Sequence, residues 1–95
     1  MKQQCRVWLT KFAEKQVKKL PKYIVAAYHT WVKTVELDGI WATRTLSGYH
    51  DEPLKGDRKG QRSVRLSKGY RVIYEITESG NVILICVQEV NKHDY

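Results

Sequence analysis

An apolar stripe between Lys22 and Gly39 is the feature that most constrains what this chain can fold into. Its members fall at offsets of 0, 3, 4, 7, 8 and 11 residues, the spacing of one face of an α-helix. They are Ile24, Ala27, Tyr28, Trp31, Val32 and Val35. Asp38 and Gly39 end the pattern. The stripe therefore predicts a long amphipathic helix that packs on another layer, with His29 on its exposed side.

The segment before this helix predicts one strand and one shorter helix. Residues from Gln4 to Leu9 alternate in polarity, which is typical of a strand. Thr10 is a good helix cap, and Pro21 cannot continue a helix, so we expect a helix between them. Its core-facing side chains are expected to be Phe12, Val17 and Leu20.

The second half of the chain reads as a long connection followed by three strands. The connection, Ile40 to Arg62, has no sustained period. The strand-like runs are Arg62 to Ser67, Tyr70 to Thr77 and Val82 to Val90, and short turns between them predict an antiparallel meander. The last run is apolar on both faces, as in an interior strand.

Together these elements predict an α+β fold with the order β-α-α-β-β-β. We expect an antiparallel sheet with the helix pair packed on one face. At 95 residues, with no linker-like stretch, the whole chain from 1 to 95 is expected to form a single domain.

The charge favours a polyanionic partner such as RNA. Lys and Arg number 17 against 10 Asp and Glu, a formal net charge of +7. Basic residues are concentrated between positions 44 and 71, where phosphate contacts are the expected use. The predicted RNA-binding residues are Arg44, Lys55, Arg58, Lys59, Arg62 and Lys68.

The sequence contains no signal for secretion, membrane insertion or metal binding. No apolar run is long enough for a signal peptide or a membrane span, so the cytoplasm is the expected location and no membrane partner is expected. Cys5 and Cys86 lie within strand patterns, without a second ligand at metal spacing. We expect buried, reduced thiols, no metal site and no cofactor.

Strand alternation brings two arginines together. Arg65 and Arg71 lie on the same face of the predicted hairpin, so they can approach each other across it. Two adjacent guanidinium groups repel unless an anion bridges them, and their geometry suits phosphate oxygens. Pairing with Glu75 or Glu89 is the alternative for either arginine alone.

The residues near this hairpin suit RNA cleavage without a metal. The loop from Tyr49 to Arg62 lacks the GxxxxGK[ST] pattern of a nucleotide-binding loop, and no serine–histidine–acid spacing or carboxylate cluster is present. If the 2′-OH of RNA attacks its own phosphate, the protein needs a base, a cationic clamp and an acid. Arg, Lys, His and Glu side chains can supply all three.

Several short motifs resemble the RelE-like ribonuclease toxins of bacterial toxin–antitoxin modules, in the RelE/ParE superfamily. They are Glu52-Pro53-Leu54-Lys55-Gly56, Gln61-Arg62-Ser63-Val64-Arg65-Leu66, Tyr70-Arg71-Val72-Ile73-Tyr74 and the tail from Glu89 to Tyr95. The similarity is greatest to the YoeB and HigB branches and covers nearly the whole chain. It implies an mRNA interferase that cuts transcripts in the ribosomal A site and is neutralised by an antitoxin, in a possible toxin–antitoxin hetero-oligomer.

The resemblance also implies roles for individual residues. Glu52 corresponds to the proposed general base, and Arg71 to the arginine that holds the scissile phosphate. His93 and Tyr95 correspond to the terminal acid and to the aromatic group that stacks on a base, although Asp94 separates them here.

The identity of the general base and the function itself both stay open from the sequence. His50 is a competing general base, because an imidazole titrates near neutral pH. A ParE-like inhibitor of DNA gyrase, with the same fold and no nuclease activity, is the rival function, and a plain RNA-binding domain is a third. His93, Tyr95 and the arginines at positions 62, 65 and 71 favour the enzyme.

Overall fold

The computed structural model describes residues 4–92, so His93 and Tyr95 lie outside the described residues. Two helices and a five-stranded sheet form its framework. The helices are α1 (Lys11–Lys18) and α2 (Lys22–Asp38), with a short α3 (Ile40–Arg44). The strands are β1 (Gln4–Leu9), β2 (Glu52–Pro53), β3 (Gln61–Ser67), β4 (Tyr70–Ser79) and β5 (Val82–Lys92). The predicted α+β class is confirmed.

The sheet has the strand order β1-β5-β4-β3-β2. Strands β3, β4 and β5 form the predicted antiparallel meander, with β5 in the interior. Strand β1, however, pairs with β5 in parallel, with Cys5 opposite Ile83. The sheet is therefore mixed and not purely antiparallel. Strand β1 is separated from β5 by the helix pair and the meander. This connection is long enough for β5 to lie beside β1 and run in the same direction.

The helix stripe is buried as its spacing predicts. Ile24, Tyr28, Trp31 and Val35 are buried on α2, and His29 is exposed. The ring of Trp31 lies 5.5 Å from that of Tyr74 on β4, centroid to centroid, so α2 packs directly on the sheet. One face of the sheet thus packs against α2 and forms the core, and Arg65 and Arg71 project from the opposite face.

Helix α1 begins as predicted but turns a different side chain inward. The Thr10 hydroxyl accepts a hydrogen bond from the Ala13 amide at 3.1 Å and so caps the helix. Ala13 is fully buried, whereas Phe12 is 59% exposed, so the prediction that Phe12 is a core residue was wrong. The helix has only eight residues, and its small buried side chain lets it lie close against the sheet.

The connection from Ile40 to Arg62 is more structured than its sequence suggests. It contains α3, two single 3₁₀ turns at Ser47–Tyr49 and Gly56–Arg58, and the two-residue strand β2. These elements are too short to produce a hydrophobic period. Glu52 and Pro53 of β2 pair with Ser63 and Arg62 of β3, which adds an outer strand to the meander.

The outer edge of β1 is covered by a side chain from α2. The Glu36 carboxylate accepts a hydrogen bond from the Val7 amide at 3.0 Å.

Cys5 and Cys86 are both buried, free thiols. Between residues 4 and 92, the helices are too short or too polar to cross a lipid bilayer.

We predict that Phe12→Ala and Ile85→Ala have very different effects on stability. Ile85 is fully buried, so its truncation should cost about 2–5 kcal/mol of unfolding free energy. Phe12→Ala should cost less than about 1 kcal/mol, because most of the ring is already in water. Denaturant unfolding curves measure both values. A loss of about 3 kcal/mol or more for Phe12→Ala would restore Phe12 to the core.

Candidate functional site

A cleft lies on the face of the sheet opposite Val64 and Val72, at the end where the β3–β4 hairpin turns. Strands β3 and β4 form its floor, and the segment of residues 49–54, which we call the cleft segment, forms one wall. The side chains that give the cleft its chemistry are His50, Glu52, Ser63, Arg65, Tyr70 and Arg71. Two cations therefore face a carboxylate and an imidazole across a small open space.

Arg65 and Arg71 occupy directly opposite positions in the β3–β4 ladder. Side chains at such positions project from the same face with their Cβ atoms about 5 Å apart. The Arg71 Nε is buried and, within residues 4–92, has no hydrogen-bond partner. Like charges at this spacing repel, and a buried donor without an acceptor costs further free energy. Both costs disappear if an oxyanion binds between the two guanidinium groups.

The carboxylates that could have neutralised these arginines have other partners. Glu75 accepts a hydrogen bond from Gln61 Nε2 at 3.0 Å, and Glu89 forms an ion pair with Arg58 at 2.5 Å. In the described part of the chain, neither Arg65 nor Arg71 forms an ion pair. The structure therefore favours the anion-binding arrangement over the alternative of pairing with Glu75 or Glu89.

The two candidate bases are held on the wall of the cleft. Glu52 lies on β2 opposite Ser63, so its side chain shares the face of Arg65. His50 adopts a left-handed backbone conformation with φ of 45° and ψ of 47°, just after a 3₁₀ turn. Both side chains line the cleft, and the structure brings them together with both arginines.

Asp51, between these two residues, was missed in the sequence analysis as a site residue. Its carboxylate is buried, with a side-chain exposure of 1%, and accepts a hydrogen bond from Arg62 Nε at 2.6 Å and another from the Tyr74 hydroxyl. Arg62 and Tyr74 are opposite each other on the core face of the sheet, and only the folded chain brings Asp51 to them.

The pKa values of the two donors to Asp51, Tyr74 and Arg62, are both raised. Burial raises the pKa of Tyr74 far above its ordinary value, and the hydrogen bond to Asp51 raises it further, so the phenol stays protonated. Burial alone would lower the pKa of Arg62, but the hydrogen bond and negative charge of Asp51 outweigh it and the pKa is raised. Both donors are thus maintained at any physiological pH.

The six residues predicted to bind RNA outside the arginine pair do not line the cleft. Arg62 is directed to Asp51 on the core face, and Arg58 is paired with Glu89. The Arg44 guanidinium lies 5.2 Å from the centre of the Trp41 ring, in a cation–π contact. Lys55, Lys59 and Lys68 are exposed. Of these six basic residues, the three arginines therefore contact other side chains of the fold, and the three lysines lie on the surface.

The described chain ends beside the cleft. Asn91 and Lys92 on β5 lie opposite Arg71 and Tyr70, both of which line it. His93 follows Lys92 directly, and the roles assigned to His93 and Tyr95 remain predictions. Within residues 4–92, there is no cluster of three or more His, Cys, Asp or Glu side chains placed to hold a metal ion.

Comparison with known proteins identifies the fold through structure, not through sequence. No protein-family profile and no curated protein sequence matches the chain. The YoeB/ParE toxin from Agrobacterium tumefaciens superposes with a TM-score of 0.73 at 20% identity, over 94% of this chain and 99% of the other. The chain has the fold of the RelE/ParE-like toxins.

Two toxin–antitoxin complexes show the same RelE-like fold. The DinJ–YafQ complex from E. coli matches with a TM-score of 0.73 at 20% identity, over 95% of this chain and 93% of the matched chain. The RelBE2 complex from Mycobacterium tuberculosis matches with a TM-score of 0.66 at 23% identity, over 95% and 99%. The fold implied by the sequence motifs is thereby confirmed.

We predict that the arginine pair of this RelE-like fold binds a tetrahedral oxyanion. At constant ionic strength, sulfate should raise the melting temperature more than chloride, because sulfate bridges Arg65 and Arg71. A sulfate concentration of about ten times the dissociation constant should stabilise the fold by about 1.4 kcal/mol. Arg65→Gln should respond to sulfate less than Lys33→Gln does, because it has lost the bridged site. Lys33→Gln, an equal charge change at an exposed position on α2, is the control for the general effect of sulfate on stability. An equal sulfate response in both variants would show that no site is present.

Proposed function

We propose that the chain is the toxin of a type II toxin–antitoxin module and acts as a ribosome-dependent mRNA endoribonuclease that inhibits translation. One observation carries the proposal: Arg65 and Arg71 are paired in the ladder, form no ion pair among the described residues, and line the same cleft as Glu52 and His50. RNA cleavage by the 2′-OH needs a base for the hydroxyl and cations that bind the phosphate, and this cleft contains candidates for both.

The proposed reaction uses the RNA itself as the nucleophile. Glu52 or His50 removes the proton of the 2′-OH, whose oxygen forms a bond to the adjacent phosphorus. The bond from phosphorus to the 5′-oxygen breaks, and His93 gives that oxygen a proton. The products are a 2′,3′-cyclic phosphate and a 5′-hydroxyl. The reaction is proposed to need no metal, because side chains supply the base, the acid and the charge.

The two arginines have a separate task in this scheme. Negative charge accumulates on the non-bridging oxygens as the phosphorus becomes five-coordinate, and two fixed guanidinium groups stabilise it. The cost of holding these cations together in the free protein is recovered when the phosphate enters. Tyr95 is proposed to stack on the base beside the cut, since stacking is tolerant of sequence.

The expected partners are mRNA on the ribosomal A site and a cognate antitoxin. The RelBE2 and DinJ–YafQ neighbours are toxin–antitoxin complexes, which supports a hetero-oligomer with an antitoxin for this chain. A net charge of +7 favours an acidic segment in that partner, able to cover the cleft and block Arg65 and Arg71.

We predict that induced expression of the chain arrests growth and produces transcript cuts within translated regions, in frame with the codons. The cuts should carry a 2′,3′-cyclic phosphate or a 3′-phosphate, and Arg71→Gln should remove them, whereas Lys33→Gln should not. Mapping of RNA ends measures the positions of the cuts, their end groups and their loss in the variant, and growth curves measure the arrest. Co-expression of a small acidic protein from the adjacent reading frame should restore growth.

Two results would contradict this function. Intact transcripts together with double-strand DNA breaks would identify a gyrase inhibitor, the rival function. Cuts that end in a 3′-hydroxyl would exclude attack by the 2′-OH even if the chain is a nuclease.

The chain end provides a second prediction. If His93 protonates the leaving oxygen and Tyr95 stacks on a base, His93→Gln should lose about 100-fold or more in cleavage rate, and Tyr95→Phe should retain most of the activity, because stacking needs the ring and not the hydroxyl. Deletion of residues 93–95 should abolish cleavage while antitoxin binding persists. A deleted chain that still cuts transcripts would leave catalysis to His50, Glu52 and the arginines.

A further inference from the structure

The cleft segment is held to the rest of the fold by few backbone bonds. Strand β2 contributes two ladder positions, and Pro53 at one of them has no amide hydrogen to donate. The Leu54 amide donates to the Gln61 carbonyl at 2.9 Å, and the His50 amide to the Ser47 carbonyl at 3.2 Å. Such a short edge pairing opens easily by itself. Another interaction must keep Glu52 and His50 in place.

The backbone of His50 adds a cost to this arrangement. A residue with a side chain in the left-handed region is less stable than in its ordinary conformations by about 1–2 kcal/mol. The turn is therefore not one that the segment adopts on its own. It persists only if neighbouring contacts hold both sides of it.

Asp51 makes those contacts. Its side chain passes to the core face of the sheet while those of His50 and Glu52 line the cleft on the other face, as alternation along the chain requires. There its carboxylate is fixed by two donors, Arg62 Nε and the Tyr74 hydroxyl. Tyr74 is itself fully buried, with its ring against Trp31, so the anchor is continuous with the core.

We propose that Asp51 is a positioning residue, which fixes His50 and Glu52 over the arginine pair by tying the cleft segment to Arg62 and Tyr74. This inference rests on the proposed function for its catalytic consequence, but its structural part is independent of it. The aspartate does not touch the RNA. Its effect on cleavage is exerted through the two residues that flank it in sequence.

The geometry also assigns Arg62 a different task from phosphate binding. A guanidinium bonded to a carboxylate on the core face is neutralised and directed away from the cleft. Replacement of Arg62 is therefore expected to act as replacement of Asp51 does, through the rate of cleavage and not through the affinity for RNA.

The test compares Asp51→Asn, Tyr74→Phe and a matched control, Glu36→Gln. Tyr74→Phe removes one of the two hydrogen bonds to Asp51 and keeps both its charge and the core volume. Glu36 is also a carboxylate that holds a strand edge, at β1, but it lies on α2 and contacts neither the cleft segment nor its anchor. Hydrogen–deuterium exchange of peptides covering residues 49–54 is measured first, followed by kcat and KM for cleavage of mRNA on programmed ribosomes.

In Asp51→Asn we expect exchange of the cleft segment to accelerate by about tenfold or more, which corresponds to a loss of about 1.4 kcal/mol in local stability. We expect kcat to fall by roughly 100-fold with little change in KM, since a base displaced by about 1 Å loses rate while the arginine clamp persists. Tyr74→Phe should show the same pattern to a smaller extent, and Glu36→Gln neither effect.

Unchanged exchange in Asp51→Asn would overturn the proposal, as would an increase in KM at constant kcat. If the wild-type chain cleaves no transcript, the proposed function fails, and the exchange experiment alone then decides whether Asp51 holds the cleft segment. The two failures are thus distinguishable.

Discussion

The site depends above all on the register of the β3–β4 hairpin. With Val64 opposite Val72, both valines enter the core, and Arg65 and Arg71 necessarily project from the other face. A slip of one residue would bury two guanidinium groups among the side chains of α2 and expose the valines, at a cost of many kcal/mol. Hydrophobic burial on one face of the sheet therefore determines the placement of charge on the other. The two arginines therefore need no separate mechanism to bring them together.

The same division between faces explains the connection before the hairpin. Along the cleft segment, alternate side chains go to opposite sides of the sheet edge, one to a buried ion pair and its neighbours to the cleft. An ion pair that is buried on one side is a poor source of net stability, because desolvation offsets much of the attraction. It is a good source of specificity, because only one conformation of the segment satisfies it. The ion pair of Asp51 with Arg62 therefore fixes the conformation of the cleft segment more than it adds to the stability of the fold.

How far the sequence could predict this structure depends on the range of the interactions. Helix α2 and the meander were predicted because their periods are local and long. The inward side chain of α1 was predicted incorrectly, because in an eight-residue helix the choice between Phe12 and Ala13 is made by the closeness of the sheet. The parallel pairing of β1 with β5 involves residues near opposite ends of the chain, and no local pattern encodes it.

The site shows the same dependence on range. The pairing of Arg65 with Arg71 followed from alternation in two adjacent strands. The partners of Asp51 lie 11 and 23 residues further along the chain, on two different strands, so its role became visible only when the fold brought them together.

The two ends of the sheet have a consequence for the behaviour of the protein in solution. Exposed strand edges are templates on which other chains can add strands and aggregate. At β1 the Glu36 carboxylate occupies the amide of Val7 and places a negative charge where an incoming strand would have to pair. At the opposite end β2 is only two residues long and contains Pro53, which lacks a donor. Both edges of the sheet thus carry a feature that disfavours the addition of a further strand from another chain.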